Sequence, residues 1–143
     1  MFCCLLAVSG CTSTVDRVHN SLRYEARASL DFVADTVSRA NRSDHHGIAA
    51  QILYRPSIQL RNPRWEADVL LVSAVFDEFT ERPEREVASL NAARPCAEIA
   101  VDKEAALRPA PCPAHDFSAE RKRPPVEYTL PEIHSKLNVP DHR

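Results

Sequence analysis

Eight of the chain's eleven prolines lie at or beyond residue 95, and this asymmetry limits where regular structure can form more than any other feature. Proline removes a backbone donor and clashes with the preceding turn, so helix interiors are closed to it. Pro109, Pro111, Pro113, Pro124, Pro125, Pro131 and Pro140 crowd the last third. Residues 108–143 therefore read as a proline-rich flexible tail. Only Pro56, Pro63 and Pro83 interrupt the chain before residue 95. The folded part is expected within 11–107.

Within that part the apolar spacing is helical. Val15, Val18, Leu22, Ala26, Leu30, Val33, Val37 and Ala40 recur three or four apart, which predicts one amphipathic helix over 14–40. The polar cluster 42–47 breaks it, and a short helix over 48–54 follows, with Asp44 as its cap and Pro56 as its stop. Asn62-Pro63 has the form of a cap before a first-turn proline. It opens a second stripe through Trp65, Val69, Val72, Phe76 and Phe79. A last helix is expected over 83–93. The reading is mostly α, a small bundle or hairpin of about four helices in which the 15–40 stripe packs on the 65–79 stripe. Leu30, Val33, Val69, Val72 and Phe76 are its expected core. The alternative is α+β with a hairpin at 51–76, because 67–76 is rich in β-branched residues and periodicity does not separate short apolar runs.

Composition narrows the function classes. Net charge is −2, so no global field points to nucleic acid. Gly10 and Gly47 are the chain's only glycines, which argues against phosphate-cradling loops, dinucleotide fingerprints and tight hairpins that need positive φ. No stretch approaches the length of an apolar membrane span.

The first eleven residues supply the one recognisable signal. A short apolar run ends in Val8-Ser9-Gly10-Cys11, and the polar Thr12-Ser13-Thr14 follows at once. This resembles the lipobox of bacterial lipoproteins, in which an aliphatic residue, two small residues and a cysteine close a signal peptide. The resemblance covers a signal and no domain. It implies that 1–10 are a cleaved signal peptide, that Cys11 carries the lipid, and that the membrane is reached through that anchor. Thr12, in place of the Asp that often marks inner-membrane retention, implies the outer membrane in a host that has one.

Export would set the cysteine chemistry. Cys3 and Cys4 would leave with the signal and Cys11 would be acylated, so Cys96 and Cys112 are expected to bridge in an oxidising compartment. Cys112-Pro-Ala-His115 has half a zinc-knuckle spacing, but structural zinc takes four ligands and no second knuckle exists, so no metal is expected. His45 and His46 beside Asp44 read as a solvated turn. Asp77, Glu78, Glu81, Glu84 and Glu86 read as a solvated acidic face. Arg121-Lys122-Arg123 reads as a tail cluster. No nucleophile sits in an elbow or comparable setting. The expectation is a small membrane-anchored lipoprotein of the bacterial cell envelope. Its role is non-catalytic, with no cofactor and an envelope protein as partner. The alternative is a cytosolic helical binding or regulatory module.

Overall fold

In a computed structural model, residues 14–54, 60–76, 78–79, 92–93, 95–112, 129–137 and 139 are described. The described residues open with a helix, α1 (Thr14–Arg39), followed by a shorter one, α2 (His45–Leu53). Among the described residues seven strands follow: β1 (Leu60–Glu66), β2 (Val69–Val75), β3 (Glu78–Phe79), β4 (Ala92–Ala93), β5 (Cys96–Val101), β6 (Ala105–Pro109) and β7 (Ile133–His134). Five of them form one antiparallel sheet in the order β1-β2-β5-β6-β7, while β3 and β4 pair separately. The helices cover one face of the large sheet. The protein is a two-layer α+β structure.

α1 forms where the apolar stripe predicts it. Leu22, Ala26, Leu30, Val33 and Val37 are fully buried and meet the sheet. Thr36, nearly buried, satisfies its hydroxyl by donating to the Phe32 carbonyl at 2.8 Å. α2 starts where Asp44 caps it, its carboxylate accepting the Gly47 N–H at 3.0 Å. That bond meets one of the first-turn donors that a helix leaves open. Ile48 and Ile52 complete the helix layer of the core.

The expected mostly α bundle is overturned. The segment 63–79, read as a helix, contains most of a β-hairpin in which Glu66 pairs with Val69 and Leu60 with Ala74. Side chains alternate across a strand, so Leu70, Val72 and Ala74 of β2 face the helices. Ala97, Ile99 and Val101 of β5 lie directly opposite them. Ala105 and Leu107 extend this inner face into β6. The 51–76 hairpin alternative differs in its first strand, which begins at Leu60 after α2 has already ended at Leu53. Of the expected core residues, Leu30, Val33, Val72 and Phe76 are buried and Val69 is half-buried. The helix expected at 83–93 falls largely outside the described residues, and Ala92 and Ala93 belong to β4.

The sheet continues into the proline-rich stretch. β6 ends at Pro109, β7 pairs with β6 through Ala106–His134 and Leu107–Ile133, and Leu130, Ile133 and Val139 join the core. The folded unit thus takes in part of 108–143, and a boundary at 107 runs through β6.

Both sheet edges are protected. At one, β1 has a register shift between Arg61 and Arg64, with Asn62 at φ 51° and Pro63 beside it. Such a bulge bends the strand away from foreign pairing, and an edge is where a strand tolerates proline. At the other, β7 is two residues long and Arg27 of α1 donates to the His134 carbonyl.

Candidate functional site

Arg42 sits at the corner where the two helices meet the sheet. It follows α1, is only 3% exposed, and donates to the carbonyls of Asp68 at 3.1 Å and Val101 at 3.4 Å. The Asp102 carboxylate stands 3.9 Å from the same guanidinium nitrogen. One side chain thereby ties the helical corner to the β1–β2 turn and to the end of β5. On the same side, His45, the first residue of α2, stacks on Trp65 of β1 with ring centroids 3.9 Å apart and planes 8° from parallel. That contact joins α2 to the sheet edge. His45 and His46 are both exposed, and among the described residues they belong to no group of three metal-ligating side chains.

The sheet face away from the helices carries a polar row across all five strands. Arg64 of β1 pairs with Glu98 of β5 and donates to the Ser73 hydroxyl of β2 at 3.3 Å. Glu98 lies opposite Arg108 of β6, and Arg108 stands 3.6 Å from Glu132. Glu132 is also 3.1 Å from the His134 ring. Beside this row Leu71, Ala100 and Ala106 form an apolar strip in register. Alternating small apolar and paired charged groups suit a recognition surface better than proton transfer, since each acid already faces a cation.

Two clefts border the helix layer. The first, about 500 Å³, lies between Arg23 and Arg27 of α1 and residues 131–134 at the β7 edge. The second, about 410 Å³, is mainly apolar and lies between α1 and α2, lined by Phe32, Thr36, Ala50, Gln51 and Tyr54. Tyr24 and Tyr54 are 76% and 88% exposed, and both belong to this layer.

The cysteines Cys96 and Cys112 are joined in a disulfide, with Cα atoms 5.1 Å apart and the Ala110 N–H donating to the Cys96 carbonyl at 3.0 Å. This closes the β5–β6 hairpin at its open end. Cys11 and residues 1–10 lie outside the described residues, as do Cys3, Cys4, His115, Asp77, Glu81, Glu84, Glu86, Arg121, Lys122 and Arg123. Among the described residues no three His, Cys, Asp or Glu side chains gather closely enough to hold a metal ion. No helix among them is long and apolar enough to cross a membrane.

Sequence reasoning missed Arg42 and the polar row. Arg42 has no local signature, standing among other polar residues of a loop. The row exists only through strand register, which brings Arg64, Ser73, Glu98 and Arg108 together from four separate strands. No protein-family model, no curated protein and no solved structure matches this chain.

Proposed function

We propose that the protein is a lipid-anchored lipoprotein of the bacterial cell envelope, acting by contact with another envelope component and without catalysis of its own. The carrying observation is the arrangement of its cysteines. Cys11 closes an apolar run after two small residues, while Cys96 and Cys112 pair on the folded domain. Disulfides persist where the compartment is oxidising, and cytosolic thiols are kept reduced. Both features therefore favour the same side of the membrane. Acylation at Cys11 with removal of 1–10 gives more than the two membrane signals that stable anchoring needs. Thr12 after the cysteine favours the outer membrane in a host that has one.

The tether is short. Only Thr12 and Ser13 stand between Cys11 and the first residue of α1. Three residues span at most about 11 Å when fully extended. The domain is held at the bilayer surface, which suits a partner that is itself membrane-bound. The polar row and apolar strip on the outer sheet face are the surface we assign to that partner.

Metabolic labelling tests the reading. In a bacterium, the protein with its native start region incorporates labelled palmitate and fractionates with membranes, and Cys11→Ser abolishes both. Equal labelling of the variant overturns the anchor, and a soluble cytosolic protein with free thiols restores the helical-module alternative in its α+β form.

A further inference from the structure

We propose that the partner of the outer sheet face is a second copy of this chain, seated face to face about a two-fold axis. This inference rests on the lipid-anchored reading above and names the occupant of the surface assigned there. Strand register gives the face its pattern. Ser73 of β2 lies opposite Glu98 of β5, and Glu98 lies opposite Arg108 of β6. The β6–β7 register carried one residue further sets Glu132 opposite Arg108, where their side chains stand 3.6 Å apart. From β2 to β7 this row reads hydroxyl, acid, base, acid. The neighbouring row reads Leu71, Ala100, Ala106, His134.

Two copies of one surface meet in an isologous contact, so the pattern must match its own reverse. An axis parallel to the strands and midway between β5 and β6 achieves this. Glu98 then meets the partner's Arg108, Arg108 meets the partner's Glu98, and Ser73 meets the partner's Glu132. Other placements fail on charge. An axis through β5 sets Glu98 on its own image, and one through β6 does the same to Arg108. An axis between β2 and β5 sets Arg108 against the arginines of β1, Arg61 and Arg64. Like charges across an interface are costly, so charge selects one arrangement. Twisted sheets that pack face to face cross at about 30°, and the centre of the contact is closest. Here the centre holds Ala100 and Ala106, small enough to let the sheets approach. No lone charge is buried there, because Glu98 keeps Arg64 and Arg108 keeps Glu132 within the chain. Four strands spaced about 4.8 Å apart make a modest interface. Anchored copies share one leaflet, and that confinement raises their effective concentration.

Energy transfer between donor-tagged and acceptor-tagged copies of the acylated full-length protein, in phosphatidylethanolamine–phosphatidylglycerol vesicles, is the test. Wild-type copies are expected to show transfer that excess untagged wild type competes away. Glu98→Arg and Arg108→Glu each set like charges at both central contacts, and each alone should weaken association tenfold or more. Mixing E98R donors with R108E acceptors restores opposite charges at both contacts, and transfer should return. Ala100→Arg leaves the charged row intact and should abolish transfer by holding the sheets apart. Circular dichroism checks that each variant is folded, and recovery in the mixture is a result that misfolded chains do not give. Wild-type copies without competable transfer, or a mixture no better than either variant alone, overturn the inference. A palmitate-labelled protein that shows no transfer keeps its anchor and loses only the second copy. A chain that takes up no palmitate loses the anchored reading and this inference together.

Discussion

Burying a guanidinium costs several kcal/mol unless each of its faces finds an acceptor. Arg42 meets part of that condition through Nη2, which faces the Asp68 and Val101 carbonyls and the Asp102 carboxylate. Its replacement by alanine leaves those acceptors without their donor at a corner that joins both layers. Arg42→Ala should therefore lower unfolding stability by about 2–4 kcal/mol in urea titrations. A loss under about 0.5 kcal/mol, the scale of ordinary surface changes, would show that the corner does not depend on it. Gly47 gives a finer test. A Cβ there would stand 2.2 Å from the Asp44 carboxylate that caps α2, so alanine must displace the cap. Losing a cap costs about 1 kcal/mol, and replacing a helical glycine by alanine gains about as much. Gly47→Ala alone is expected to be nearly neutral. In an Asp44→Ala background the same change should stabilise by about 1 kcal/mol, a coupling that a double-mutant cycle reads directly.

At the scale of elements, the helices were legible and the strands were not. α1 shows its buried stripe in sequence because one face is core and the other solvent. The hairpin hides its alternation because β2 is apolar on both faces. Val69 and Leu71 point outward and are half-buried, while Leu70, Val72 and Ala74 point inward. Asn62-Pro63 has the form of a helix cap, yet the same pair serves an edge bulge, with Asn62 in the left-handed region and Pro63 beside it at the edge. β6, Ala-Ala-Leu-Arg-Pro, carries almost no strand propensity and is fixed by its pairing with β5. Glycine scarcity also misled. The β1–β2 turn places Ala67 at φ 51°, where glycine is the usual residue. Ala67→Gly should relieve that strain and stabilise the protein by about 0.5–1 kcal/mol, measured by the midpoint of chemical unfolding. A destabilisation of that size would mean that the turn is held without strain.

Across the whole molecule, the two layers present different surfaces. The helix layer carries the exposed Tyr24 and Tyr54, and the sheet presents its charged row on the opposite side. β6 reaches β7 through the two register pairs Ala106–His134 and Leu107–Ile133, and just past Pro109 the Ala110 N–H bonds back to the Cys96 carbonyl. The Cys96–Cys112 bridge acts at this place, closing a separation of 16 residues. A loop of that length contributes about 3 kcal/mol in the chain-entropy model. Envelope-purified protein is therefore expected to lose about that much stability when reduced, with a fall in Tm of roughly 10 °C. The Cys96→Ser, Cys112→Ser double variant should melt at the reduced protein's temperature whether or not reductant is present. If the native protein melts identically with and without reductant, the cysteines are free thiols in the cell. The envelope reading then loses its support on the folded domain and stands on the Cys11 signal alone.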